Sequence, residues 1–264
     1  MTLVLTLWNE AGGVSKTTSA VSLAMIGAIK GMNTLLVDID PRASATKWIG
    51  VGVEEGMHVG AILAHPSPEG WADELALPTT WQDNLRIIPS DRSVSHREAE
   101  KPDGGEVRLR AALQGTTADL VVIDAPNRQG GLLPLNALMA SDAVIYAATA
   151  TEDGVDGIDG ASQTLRAFAR SQELRGSSVV PVELGAIMGS ISDTIQPKIE
   201  KRSLDYVIEN DLALRPFVPR REAVRQARAR GEWYGLDHYD RADVVVDAYA
   251  ALLDTIIERM TPHD

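Results

Sequence analysis

The chain contains no cysteine among its 264 residues. That excludes disulfides, a thiolate nucleophile and a thiolate-held iron–sulfur cluster. It also has no uninterrupted apolar run of roughly 18 residues, so no transmembrane helix is expected. Its start lacks the basic segment and apolar core of a signal peptide. Basic charge is in short supply: 25 Lys and Arg stand against 37 Asp and Glu, a net charge of −12, which argues against a surface coated for nucleic acid. The five histidines, His58, His65, His96, His238 and His263, show no metal-ligand spacing. They read as surface or loop residues. Internal repeats and low-complexity tracts are missing too. Apolar and charged fractions of 44% and 23% are ordinary for a globular protein, and the length suits one sizeable core or a large single α/β domain.

What is present is concentrated in the first fifty positions. An apolar run, Leu3–Trp8, leads into Asn9-Glu10-Ala11-Gly12-Gly13-Val14-Ser15-Lys16-Thr17-Thr18. The segment from Thr17 to Lys30 has the apolar spacing of a helix packed on a sheet, stopped by Gly31. Leu35-Leu36-Val37-Asp38-Ile39-Asp40-Pro41 follows. Strand, glycine loop with Lys-Thr, helix, and strand ending in acids is an arrangement that holds a nucleotide triphosphate and its magnesium ion. Gly12 and Gly13 allow the dihedrals that turn backbone N–H groups toward phosphate oxygens. Lys16 would place an ammonium on the β- and γ-phosphates, and Thr17 a hydroxyl on Mg²⁺.

The common phosphate-loop pattern G-x-x-x-x-G-K-[ST] fails, because Glu10 and Ser15 occupy its glycine places. The loop instead resembles the deviant Walker A motif of the ParA/MinD family, K-G-G-x-G-K-[ST]. Gly12, Gly13, Lys16 and Thr17 match; Ala11 stands where the family has its signature lysine and Ser15 where it has a glycine. The likeness continues over roughly residues 2 to 260. Asp38-Ile39-Asp40-Pro41 is similar to the family's D-x-D-P motif, and Leu120–Pro126 to its Walker B strand. Asn127-Arg128-Gln129-Gly130 resembles the switch, and Ser141–Ala148 the next strand. Thr151–Gly157 corresponds to a loop, Val155–Arg170 to a helix, and Phe217-Val218-Pro219-Arg220 to the segment beside the adenine.

The resemblance implies one P-loop NTPase domain over 1–264, without an amino-terminal DNA-reading domain. Its architecture would be α/β: a doubly wound, mostly parallel sheet with helices on both faces. The expected strands are Leu3–Trp8, Thr34–Asp38, Leu85–Ile88, Leu120–Asp124, Ala143–Ala148, Val180–Ile187 and Leu214–Val218. Gly52–Asn84 reads as a helix-and-loop excursion, and Ser90–Glu106 as a surface connection with a partial helix near Ser95–Lys101. The cofactors implied are ATP and Mg²⁺. Gly12, Gly13, Val14, Ser15, Lys16, Thr17, Thr18 and Pro219 would bind the nucleotide. Thr17, Asp124 and Asp38 would serve the metal. Asp40 would position the attacking water, with Lys16 and Asp38 supporting it.

The missing lysine bears on the partner. In the family that side chain crosses a dimer interface to the other subunit's phosphates, coupling ATP binding to dimerisation and aiding hydrolysis. Ala11 can do neither. Arg42 and Arg128, each following an acidic motif, are the candidate replacements; slow hydrolysis, or its loss in a nucleotide-dependent binding module, are the other outcomes. A cluster of arginines, Arg220, Arg221, Arg225, Arg228 and Arg230, follows Pro219. On a helix Arg221, Arg225 and Arg228 would share one stripe. A solvated face paired with acids elsewhere is the plain reading. The family resemblance favours contact with the DNA backbone, salt-sensitive and sequence-tolerant.

The expected protein is thus a slow ATP hydrolase, a cytoplasmic, nucleoid-associated homodimer on nonspecific DNA. It would position or segregate a plasmid, phage or chromosome through an ATPase-stimulating adaptor or centromere-binding protein. Positioning of a protein compartment such as the carboxysome is the alternative, and a nucleotide-switched scaffold or a small-molecule synthetase are further rivals. Membrane binding is disfavoured, because the helical segment Val244–Met260 carries mostly acidic charge.

Overall fold

The computed structural model describes residues 2–100, 102–193 and 197–261; Lys101, at the end of the expected partial helix, and His263 lie outside them. In chain order the elements are β1 (Leu3–Trp8), α1 (Lys16–Ile29), β2 (Thr34–Asp38), α2 (Ser44–Ile49), α3 (Val59–Ala64), α4 (Trp71–Leu75), β3 (Leu77–Pro78) and β4 (Leu85–Ile88). There follow α5 (Arg108–Ala112), β5 (Leu120–Asp124), α6 (Leu132–Ala140), β6 (Ala143–Thr149), α7 (Glu152–Leu174), β7 (Val182–Gly189), α8 (Lys198–Glu209), β8 (Ala213–Leu214), α9 (Glu222–Arg230) and α10 (Asp243–Met260).

The eight strands form one sheet in the order β3-β4-β2-β5-β1-β6-β7-β8. Every pairing is parallel except β3 with β4. Each residue of β2 and β5 is buried, as expected of strands covered on both faces. One apolar layer, with Val37, Val121, Leu133 and Ile158, fills one side of the sheet. The other, with Leu23, Ile26, Val122 and Leu252, lies beneath α1 and α10. β1 runs centrally between β5 and β6, so the chain leaving it crosses over β5 to reach β2. The crevice outside the carboxyl ends of β1, β2 and β5 is where an open α/β sheet binds ligands.

Four details depart from the expected elements. β7 starts at Val182 and runs on to Gly189. β8 is only Ala213–Leu214; Pro216 has no N–H for a ladder. Beyond it the chain rejoins the sheet through Val218 N–H to the Met188 carbonyl (2.9 Å) and a single bridge between Ile191 and Pro219. β3 is a short antiparallel edge strand that the proline-punctuated excursion concealed. Finally, the expected loop Thr151–Gly157 is largely the first turn of α7: the Thr151 hydroxyl caps it by accepting from Gly154 N–H at 3.1 Å. A Thr cap with acids in the first turn offsets the low helix propensity of Gly154 and Gly157.

Candidate nucleotide-binding site

The loop between β1 and α1 is tied down from behind. Buried Asn9 donates from Nδ2 to the Gly154 carbonyl (3.1 Å) and accepts Ala11 N–H on Oδ1 (2.8 Å). Glu10 accepts from the Thr164 hydroxyl at 2.7 Å. Gly157 makes the contact with α7 possible, since a Cβ there would collide with Asn9 Oδ1 and with Ala11. Gly13 (φ 75°) and Ser15 (φ 72°) are left-handed, and Ser15 caps α1 without a side-chain bond. The first amides of α1 therefore face the crevice free of a capping side chain, which is an anion-binding arrangement.

The cavity these amides face has a volume of about 260 Å³. Gly13, Val14, Ser15, Lys16, Thr17 and Thr18 line it from the loop, and Asp40, Arg42, Ser44, Asn127 and Arg228 from other elements. Lys16 is buried and donates from Nζ to the Ala11 carbonyl at 2.9 Å. Burial lowers its pKa, against the pull of Asp124 and Asp40. Asp40 accepts Arg42 N–H at 2.9 Å. A second cavity of about 420 Å³ adjoins the first, sharing Ser15, Thr18 and Arg228, and is lined further by Val218, Pro219 and Tyr249. Arg220, Arg221, Glu222 and Arg225 also line it, and Pro219, the expected neighbour of the base, borders it.

The two strand-end acids differ sharply. Asp38 is fully enclosed, and its oxygens accept from Thr46 N–H (2.9 Å), the Thr46 hydroxyl (2.8 Å) and Asp40 N–H (3.2 Å). It braces α2 and does not line the cavity. Burial raises its pKa to about 6. Asp124 is equally buried, but its Oδ2 has no hydrogen-bond partner. Burial, and then the charge of Asp38, push its pKa up to about 8, with the Thr17 hydroxyl pulling the other way. A buried carboxylate oxygen left unpaired beside a threonine hydroxyl fits a hard divalent cation. Thr17 and Asp124 are the residues that would hold Mg²⁺, and Asp38 would act behind them.

The candidate replacement cations separate. Arg42 lines the phosphate cavity. Arg128 does not: it pairs with Glu98 at 3.3 Å, and Glu98 also accepts the first amides of α6, Leu132 and Leu133. Ala11 itself borders a different cavity with Glu10, Asp153 and Asp156, so acids surround the position of the absent lysine. The expected arginine stripe is broken as well. Arg221 is the extended residue before α9, and it pairs with Asp193. Arg225 pairs with Glu222 at 2.7 Å, and Arg220 is exposed. Ser44 and Tyr249 were not legible as site residues. Ser44 carries no motif of its own, and Tyr249 lies far along the chain on α10.

A loop of this geometry on this sheet defines a P-loop NTPase fold. A family model described as an AAA domain matches residues 2–175. Chromosome partitioning protein ParA of Myxococcus xanthus is 33% identical over 166 residues, 61% of this chain and 57% of that protein. Chromosome-partitioning ATPase Soj of Thermus thermophilus is 35% identical over 161 residues, 61% of this chain and 60% of that protein. The chain therefore spans about three fifths of the length of these curated relatives. The solved structure of apo McdA from Cyanthece superposes with a TM-score of 0.81 at 21% identity, covering 96% of this chain and 100% of that one, a likeness of fold. The chain belongs to the ParA-like ATPase family. Among the described residues no helix is long and apolar enough to cross a membrane.

Proposed function

We propose that the chain is an ATP-switched positioning ATPase of the ParA type. In this reading it binds ATP with Mg²⁺, pairs with a second copy, holds nonspecific DNA in that state, and releases it after slow hydrolysis. The observation that carries it is the convergence of Lys16, Thr17, the α1 amides and Asp40 on one cavity, with the orphaned Asp124 oxygen beneath it. The loop amides and Lys16 bind the β- and γ-phosphates, Asp40 holds the attacking water in line, and Pro219 closes on the base. Bound Mg²⁺ supplies charge neutralisation on the phosphates. Asp38 keeps α2, and with it Asp40 and Arg42, in register. The cargo is DNA carried by a centromere-binding adaptor that also stimulates turnover, on a cytoplasmic, nucleoid-associated protein.

A scaffold that switches on ATP with little hydrolysis is the second reading, favoured by one observation: Ala11 shares a cavity with Glu10, Asp153 and Asp156, and no Lys or Arg among the described residues lines it. A missing cation on a transferring phosphoryl group lowers rate by powers of ten. The deciding experiment is binding to nonspecific duplex DNA with ATP, ADP or no nucleotide, at low and moderate salt, alongside ATP turnover. ATP-dependent, salt-sensitive binding that disappears in Lys16→Ala supports the positioning role. Retained ATP binding with no DNA binding under any condition would sink it.

A further inference from the structure

Arg228 differs from the other arginines around it. Arg221 is held by Asp193 and Arg225 by Glu222. Arg228 has no carboxylate partner among the described residues, and its guanidinium lies 5.8 Å from the centre of the Trp48 ring. It borders the phosphate cavity and the adjoining cavity alike, whereas Arg225 borders only the second.

The helix that carries it is firmly seated. Ala223 and Ala227 are buried, and Gly231 ends α9 in a left-handed conformation. The chain just beyond is fastened to two tryptophans: Trp81 Nε1 donates to the Gly231 carbonyl (3.2 Å), and Trp48 Nε1 to the Glu232 carbonyl (2.9 Å). Trp48 belongs to α2, which starts directly after Asp40 and Arg42 and is braced by Asp38. A guanidinium against a ring is desolvated on one face and keeps its N–H edge for an anion. The cavity beside it otherwise relies on Lys16 and Arg42 for positive charge, with Ala11 contributing none.

We propose that Arg228 is a phosphate-binding residue of the nucleotide site, supplied by α9 of the same subunit and held against Trp48. The proposal rests on the reading of the cavity as an ATP site. It takes Arg228 out of the DNA-facing set and makes α9 an element that responds to nucleotide. A guanidinium on a phosphate oxygen is a charge-assisted contact, strongest where charge is densest, so it discriminates among nucleotides by phosphate number.

The test is equilibrium binding of ATP, ADP and AMP with Mg²⁺, without DNA, to the wild-type chain and to Arg228→Ala, Arg228→Gln, Arg230→Ala and Lys16→Ala. Arg228→Ala and Arg228→Gln are expected to weaken ATP roughly 10- to 100-fold, ADP less and AMP least, while Arg230→Ala, on the same helix but lining neither cavity, leaves all three unchanged. The glutamine variant keeps a long stem against Trp48, so its loss reports charge. ATP binding unchanged in Arg228→Gln, with loss in Lys16→Ala, overturns the proposal and leaves the ATP site standing. Equal weakening of all three nucleotides overturns it too, since that marks a nucleoside contact. Unchanged ATP binding in Lys16→Ala would instead remove the reading of the cavity itself.

Discussion

Asp124 shows at the residue scale what the site costs the fold. Its pKa is raised from 3.8 to about 8, with burial the largest cause, and that of Asp38 to about 6. A raised carboxyl pKa means that the folded chain holds a proton the unfolded chain has released. Between about pH 4 and pH 8 the folded state binds more protons, so stability falls as pH rises through that window. Thermal melts without Mg²⁺ should therefore show a declining midpoint from pH 5 to pH 8.5. Asp124→Asn should flatten the decline and raise stability near pH 8 by a few kcal/mol, an order-of-magnitude figure, while removing the stabilisation by Mg²⁺ with ATP. A wild-type midpoint that rises over the same window would contradict this account. Ser15 carries a smaller strain. It sits at φ 72°, where a side chain costs about 1–2 kcal/mol and glycine does not. Glycine gives part of this back in unfolded-state entropy, so Ser15→Gly should stabilise by roughly 0.5–1 kcal/mol, measurable as a higher urea midpoint. Lys16 and Thr17 were legible because loop chemistry is local in sequence. The pairing of Arg128 with Glu98 was not legible, because Glu98 comes from a segment with no visible link to it.

Glycines on α7 set the position of the phosphate loop at the scale of elements. Gly157 and Gly160 both face it, but a Cβ at Gly157 meets the amide of Asn9 and the backbone of Ala11, whereas one at Gly160 meets only the end of Glu10. Gly157→Ala should therefore displace the loop, weaken ATP binding at least 10-fold and destabilise by about 1–3 kcal/mol. Gly160→Ala should be milder on both counts, because a flexible carboxylate gives way. Nucleotide titration and thermal melts of the pair check this, and equal effects would argue against the backbone contact. β1, β2, β4 and β5 have their expected bounds; β2 and β5, covered on both faces, are largely continuous apolar runs. Where two short-range signals compete, sequence pattern alone does not fix the element. The glycines of α7 resembled a loop until Thr151 and the acids after it acted as a cap. Proline shortened β8 more than its apolar residues suggested. Arg221 was counted on a helix whose first turn begins one residue later.

At the scale of the whole molecule, the proposed DNA binding would require a chain of net charge −12 to hold a polyanion. Acids dominate the sum, yet Arg220, Arg225, Arg228 and Arg230 are all exposed on or just before α9, and with Arg228 on the nucleotide three remain, so any attraction is local and confined to within about a Debye length of α9. One such patch makes too few contacts to overcome the repulsion from the rest. Two patches brought together in an ATP-bound pair double the phosphate contacts, which is a physical reason for nucleotide dependence. About three arginines per copy in a pair would neutralise about six phosphates, a log–log salt slope near −5. Arg225→Ala removes one contact from each copy. It should lower the steepness by about two and weaken binding uniformly across DNA sequences. Its ion pair with Glu222 is exposed, so losing that pair should leave stability nearly unchanged. Electrophoretic or fluorescence binding curves over a salt series measure the slope directly. If the slope is as steep in Arg225→Ala as in the wild-type chain, α9 does not face DNA, and the acidic surface leaves that contact to some other part of the assembly.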